Sequence, residues 1–270
     1  MRGMPGSPRT YSRALVTGAS SGIGASFARA LSPGTALLLT GRDTGALDLL
    51  RQDLTGRGGA AEVVTADLAT DAGLDAVSVA AEEFAPDLIV LNAGVGPYGE
   101  LLEAEESDLR ETVAVNVTAP LVLLRRLVPG MLVAARARGG RAGVIVTSSE
   151  VAFFPVPRLA TYAASKAFDL SLAEALAAEL THEPVDVLAL CPTATRTRFA
   201  ERSGFGANLP GAQHPSDVAR AALRAIGRQR TLTLGAVGGS VLAVPALVRA
   251  GIAEAIGRFA PRRGATVTEL

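Results

Sequence analysis

The chain holds one lysine against 25 arginines, and that lysine, Lys166, stands four residues after Tyr162 in the run Tyr162-Ala163-Ala164-Ser165-Lys166. Arginine serves wherever a positive charge is all that is needed. A position that stays lysine against that bias points to a compact, rotatable charge of tunable proton affinity, which a planar guanidinium does not offer. A surface lysine left by chance is the competing reading of Lys166 taken alone. On a helix, residues four apart share one face. An ammonium beside a phenol favours the phenolate and lowers its pKa. Tyr162 is therefore expected to exchange a proton near neutral pH, as a general acid and base. A second constellation is Thr17-Gly18-Ala19-Ser20-Ser21-Gly22-Ile23-Gly24. Its glycines let the backbone turn tightly and come close to a pyrophosphate. A helix starting there offers that group free N–H donors and a partial positive charge.

The elements that must position these residues alternate along the chain. Short apolar runs predict strands at 14–17, 35–41, 60–66, 87–92, 143–148, 185–191 and 231–234. Several are rich in Val, Leu and Ile without polar alternation, as in strands buried on both faces. Helical patterns fall between them, at 22–31, 44–55, 71–84, 107–138, 161–180 and 215–228. Ser216 and Asp217, just after Pro215, offer an N-cap for the last. Strict β/α alternation predicts an α/β fold of Rossmann type, a doubly wound parallel sheet of about seven strands. With 270 residues, 49% hydrophobic and 19% charged, one large domain over 14–270 is expected, after a flexible lead at 1–13.

Composition removes several function classes. Formal net charge is zero, so no basic field exists to hold nucleic acid through counterion release. One cysteine, Cys191, and two histidines argue against a disulfide or a His/Cys zinc site, and fit a reducing, cytoplasmic compartment. The uncharged stretch 231–248 raises the question of a membrane, but Gly235, Gly238, Gly239, Ser240 and Pro245 break it up. A strand, a glycine turn and a packed helix are expected there, with a membrane-interface helix as the lesser alternative. The irregular stretch 196–214 is expected to form a lid, and 235–270 a C-terminal extension.

The Gly-x-x-x-Gly-x-Gly spacing of 18–24, taken with Tyr-x-x-x-Lys, resembles the classical short-chain dehydrogenases/reductases. The likeness runs from about Ala14 to Thr197, with the motifs in the family's order. Leu91-Asn92-Ala93-Gly94 is similar to the family's Asn-Asn-Ala-Gly, with Leu for the first Asn. Asp67-Leu68 looks like the pair at the adenine ring. Asn116 matches the asparagine of the long central helix. Ser149 lies 13 residues before Tyr162, the family's spacing, and is preferred over its neighbour Ser148. Pro192-Thr193-Ala194-Thr195-Arg196-Thr197 resembles Pro-Gly-x-x-x-Thr, with threonine for the glycine.

The resemblance implies a nicotinamide dinucleotide cofactor held by Gly18, Ser20, Ser21, Gly22, Ile23, Gly24, Asp67, Leu68, Asn92, Ala93, Gly94, Tyr162, Lys166, Pro192, Thr195 and Thr197. It implies Asn116, Ser149, Tyr162 and Lys166 as the catalytic set: Ser149 steadies the carbonyl oxygen, Lys166 tunes Tyr162 and holds the nicotinamide ribose, and Asn116 holds a relay water. At the end of the second strand Gly41 fills the position where an acidic residue would bind a ribose hydroxyl. Arg42 follows and favours the extra phosphate of NADP(H). Ser149, Phe153, Phe154, Tyr162 and Phe199 are the expected substrate contacts, with Val156, Leu159 and Phe205 beside them. Such walls suit a hydrophobic small-molecule or acyl substrate. A homodimer or homotetramer through 107–138 and 161–180 is expected from the family. A non-catalytic NADP-binding sensor or scaffold on the same fold is the alternative function.

Overall fold

A computed structural model describes residues 9–204 and 211–235. The start of the lead, residues 205–210 of the lid with Phe205, and the extension from 236 on lie outside the described residues. So does most of the uncharged stretch after β7.

Seven parallel strands form one sheet in the order β3-β2-β1-β4-β5-β6-β7. They are β1 (Arg13–Thr17), β2 (Ala36–Gly41), β3 (Ala61–Thr65), β4 (Leu88–Leu91), β5 (Ala142–Thr147), β6 (Val185–Cys191) and β7 (Thr231–Thr233). The helices between them are α1 (Gly22–Leu31), α2 (Thr44–Gly56), α3 (Asp71–Phe84), α4 (Glu106–Val113), α5 (Ala119–Ala137), α6 (Ala160–Glu179), α7 (Phe199–Ser203) and α8 (Pro215–Ala225). This is a Rossmann-type doubly wound domain. Consecutive strand residues serve opposite layers, as the pleat requires. Val16, Leu39 and Val90 pack with Phe27, Leu47 and Val218 from α1, α2 and α8. Leu15, Leu38, Ile89 and Val146 pack with Val77, Leu123, Leu127 and Ala173 from α3, α5 and α6. Both faces are covered, which is why the strands read as continuous apolar runs.

The strand order reverses direction from β1: β2 lies on one side and β4 on the other. The carboxyl ends of β1 and β4 therefore flank the crevice where such sheets bind ligands. Local signals fix the helix starts around it. Asp43 accepts from Ala46 N at 3.0 Å to cap α2, and Thr70 accepts from Gly73 N at 3.0 Å to cap α3. The cap of α8 differs from expectation. His214, not Ser216 or Asp217, holds the N-cap, and its ring nitrogen accepts from Ser216 N. Pro215 then takes the first helical position, where a missing N–H costs nothing. The long central helix also differs. Instead of one run over 107–138, a π-helical turn at Ala114–Thr118 separates α4 from α5.

Candidate active site

Glycine geometry builds one wall of the crevice. Gly18 and Gly22 have φ of 64° and 58°, a region that side chains with a Cβ avoid. A Cβ on Gly24 would lie 2.3 Å from the Gly18 carbonyl oxygen. The turn thus closes as an all-backbone cradle at the start of α1, whose N-cap Ser21 makes no side-chain cap. Free helix N–H groups at a cradle that only glycine can form fit a diphosphate. Gly18, Ser20, Ser21, Gly22 and Ile23 line the cleft, while Gly24 sits behind the turn. Asn92 braces this wall: its N donates to Thr17 Oγ1 at 2.9 Å, and its Nδ2 to Thr17 O at 3.2 Å.

The cleft is about 810 Å³ and runs along the carboxyl ends of the strands. Arg42, Asp43, Asp67, Leu68, Asn92, Ala93, Gly94, Ser149, Tyr162, Lys166, Pro192, Thr195 and Thr197 all line it, and Thr197 abuts the cradle, its Cγ2 2.8 Å from where a Cβ on Gly22 would lie. Thr193 lines it too and is absent from the positive-φ residues. Its backbone is one that threonine adopts freely, so the family glycine is not required there for conformation.

Tyr162 and Lys166 project from α6 into this cleft, with the ammonium 5.8 Å from the centre of the phenol ring. Ser149 stands beside the phenol and, like Lys166, pulls its pKa down. Ser148 is buried and donates to the Lys166 carbonyl at 2.7 Å. Both serines border the cleft, but the Ser148 hydroxyl is committed to the backbone of α6. Lys166 is only 3% exposed. Its Nζ donates to Thr147 O at 2.9 Å and pairs with Asp169 Oδ2 at 2.9 Å.

One electrostatic expectation is corrected. Tyr162 lies above the ordinary tyrosine pKa, because burial of the phenol outweighs the downward pulls of Lys166 and Ser149, and Asp169 adds to the rise. Lys166 acts in the expected direction but does not win in the protein alone.

Asn116 is 1% exposed and lies behind the cleft wall. Its Oδ1 accepts from Val95 N at 2.9 Å, and its Nδ2 donates to Val95 O at 2.7 Å and to Ser165 Oγ at 2.9 Å. Ser165 in turn donates to the Tyr162 carbonyl at 2.7 Å. The side chain, which lies within the π turn, ties the segment after β4 to α6. A hypothetical Cβ on Gly94 would sit 3.4 Å from Lys166 Nζ and 3.6 Å from Asn116 Oδ1, so Gly94 is the spacer between them.

The substrate wall needs correction as well. Phe153 is 6% exposed and belongs to the core, and Phe154 packs against that core; neither lines the cleft. Ser149 caps a short 3-10 turn, Glu150–Phe153, which sends Phe153 inward and leaves Glu150 and Val151 facing the cleft. Val151, Leu159 and Phe199 supply the apolar lining near the tyrosine, and the Phe199 ring lies 4.9 Å from that of Tyr162. Val156 does not reach the lining. Burial pushes the Glu150 carboxyl above the ordinary range, against a downward pull from the Ala194 backbone.

Gly96 was not singled out from the sequence, although the Asn92-Ala93-Gly94-Val95-Gly96 run contains the signal. A Cβ there would lie 2.7 Å from Tyr162 Cδ2. Gly96→Ala should displace the phenol while leaving the fold intact, lowering kcat by up to about 10²-fold, as misplacement by an ångström can. A steady-state kcat equal to wild type would show that the contact has no such role.

A family model described as short chain dehydrogenase matches residues 12–205. The chain belongs to the short-chain dehydrogenase family and is an oxidoreductase. It is 36% identical over 227 residues to the 1-deoxy-11-beta-hydroxypentalenate dehydrogenase of Streptomyces exfoliatus, covering 80% of each chain. Among solved structures, a short-chain dehydrogenase from Sphingobium yanoikuyae in complex with NADPH superposes with a TM-score of 0.77 at 29% identity, covering 96% of this chain and all of that one. A family member from Burkholderia phymatum in complex with NAD gives 0.75 at 27% identity, over 86% of this chain and 92% of that one. A nicotinamide dinucleotide is thus the cofactor class, and the glycine cradle fits it.

Proposed function

We propose that the protein is an NADP(H)-dependent oxidoreductase that reduces the carbonyl of a hydrophobic small molecule or acyl substrate, or oxidises the corresponding alcohol. The observation that carries this reading is the meeting of Ser149, Tyr162 and Lys166 in the same cleft as the all-backbone cradle. The bound nicotinamide supplies or accepts the hydride. The protein's own residues handle the proton and the charge. Tyr162 donates its phenolic proton to the carbonyl oxygen in reduction and takes it back in oxidation. Ser149, within hydrogen-bond reach of the same phenol, holds that oxygen and stabilises the charge that develops on it. Lys166 favours the phenolate and would hold the nicotinamide ribose hydroxyls. Asn116 holds Val95 and Ser165 in place, and with them the turn of α6 that carries Tyr162. Val151, Leu159 and Phe199 exclude water beside the reacting carbon and favour an apolar substrate.

Arg42 supports the NADP(H) preference. It stands at the cleft end of β2, directly after Gly41, where a carboxylate would select the unphosphorylated ribose. Its guanidinium pairs with Glu111, which leaves it ordered but partly neutralised. Arg42→Ala should weaken NADPH binding by roughly 10- to 100-fold, the value of one charge-assisted contact, and leave NADH binding unchanged. Equal NADPH affinities in mutant and wild type, read by fluorescence titration, would remove this basis for cofactor choice. Outward-facing Val113, Leu121 and Val133 favour the expected self-association through the central helices. The activity itself is tested by NADPH oxidation against a panel of apolar ketones and aldehydes; tight NADPH binding without turnover of any would favour the sensor alternative.

A further inference from the structure

One buried charge in the site has no part in the chemistry described above. Asp169 stands three residues after Lys166 on α6 and is 2% exposed. Its Oδ2 makes the 2.9 Å ion pair with Lys166, and its Oδ1 is buried with no hydrogen-bond partner. The residue borders a small, mostly apolar void walled by Leu68, Leu91, Val115, Pro120 and Leu123, with Thr17 its one other polar side chain. Seclusion of this kind strongly penalises a carboxylate. The ammonium of Lys166 is the one polar partner the carboxylate has among the described residues, so its presence is explained by what it does to that ammonium.

We propose that Asp169 is a positioning residue for the proton-transfer site: it keeps the buried Lys166 ammonium charged and anchored at Thr147, and so fixes the pH range in which Tyr162 exchanges its proton. This inference rests on the reading of Tyr162 as the proton donor and acceptor.

The titratable groups that act on the pair are Tyr162 on the same helix and Cys191 on β6. Glu174, farther along α6, acts on Cys191. Among the described residues, β5 offers the pair the Thr147 carbonyl, and the π turn and α5 offer Asn116 and the apolar walls of the void. Burial pushes Lys166 down, but Asp169 and the phenol outweigh it and hold the ammonium above its ordinary pKa. The same carboxylate pushes Tyr162 up. Burial raises Asp169 as well, against the pull of Lys166. Removing the negative charge makes the Tyr162–Lys166 pair release its first proton at lower pH. Because Asp169 touches Lys166 and not the phenol, the lysine loses more of its proton affinity than the tyrosine. The productive phenolate–ammonium form then becomes a smaller share of the singly deprotonated pair.

The solitary lysine supplies a one-residue probe. Full-length protein labelled with ¹³C,¹⁵N-lysine gives a single side-chain signal, which is titrated in wild type and in Asp169→Asn. Wild-type Lys166 should stay protonated past the ordinary lysine value of about 10.4. In Asp169→Asn its titration should fall by roughly one pH unit or more. The midpoint of the pH profile for alcohol oxidation should move to acid, with a lower plateau. Unchanged midpoints in both readouts, with only the plateau or melting temperature reduced, would overturn the proposal and leave Asp169 a packing residue. If the variant does not fold, the wild-type titration decides alone: a lysine titrating below its ordinary value overturns the proposal. A lysine that shifts as expected in a protein that turns over no alcohol or carbonyl supports the ion pair and removes the enzymatic reading instead.

Discussion

Tyr162→Phe is expected to lower kcat by roughly 10²- to 10⁴-fold, the range over which a positioned general acid contributes, while NADPH affinity and melting temperature stay near wild type. The substitution removes one oxygen. The ring keeps its contact with Phe199 at 4.9 Å and its fit against Gly96, and the backbone cradle at Gly18–Gly24 is built without it. What is lost is the proton source and the partner of Ser149. The loss should therefore appear in the chemical step and not in cofactor binding. A phenylalanine variant within tenfold of wild-type kcat would assign the proton to another group.

Lys166→Arg is the second large effect. Nζ sits in a slot bounded by Thr147 O and Asp169 Oδ2, each at 2.9 Å, with the Gly94 backbone alongside. A guanidinium keeps the charge but is broader, and it would pair with Asp169 as a fork. That geometry draws the cation towards the carboxylate and away from the phenol. Turnover should fall by about 10²-fold or more, as for a displaced catalytic group, with NADPH binding weakened as well. Far-ultraviolet circular dichroism should stay native-like. Wild-type kinetics in this variant would show that only the charge matters and that the choice of lysine has no consequence.

The sequence made the backbone-dictated parts of the molecule readable. The Gly18–Gly24 turn is constrained at each glycine by φ or by a close approach, so its pattern is specific. The apolar strands announce a sheet covered on both faces, and the Tyr-x-x-x-Lys spacing announces a shared helix face. What could not be read depends on rotations that composition does not encode. The mixed run Ala114-Val115-Asn116-Val117-Thr118 keeps a helical pattern, so nothing in it marks the π turn that holds Asn116. Phe153 and Phe154 lie between Ser149 and Tyr162 in the chain, but the 3-10 turn after Ser149 aims Phe153 at the core. His214 takes the α8 cap because Pro215 fits the first helical position, a rule that the stronger preference of Ser for caps conceals. Asp169 looks like an ordinary helix-surface acid three residues from a lysine. Only the burial of that helix face shows it to be a charge inside the site. The same burial explains why the expected acidification of Tyr162 by Lys166 is not the net result.

Direct hydride transfer between a nicotinamide and a carbonyl carbon, supported by Tyr162 and its neighbours, is tested with NADPH deuterated at the transferable position of the nicotinamide, incubated with apolar ketones and the wild-type or Tyr162→Phe protein. Deuterium is expected at the carbinol carbon of the product with wild type, and almost none with the variant although it binds NADPH. Tight NADPH binding with no deuterium in the alcohol product of any carbonyl offered, or equal transfer by both proteins, would contradict it.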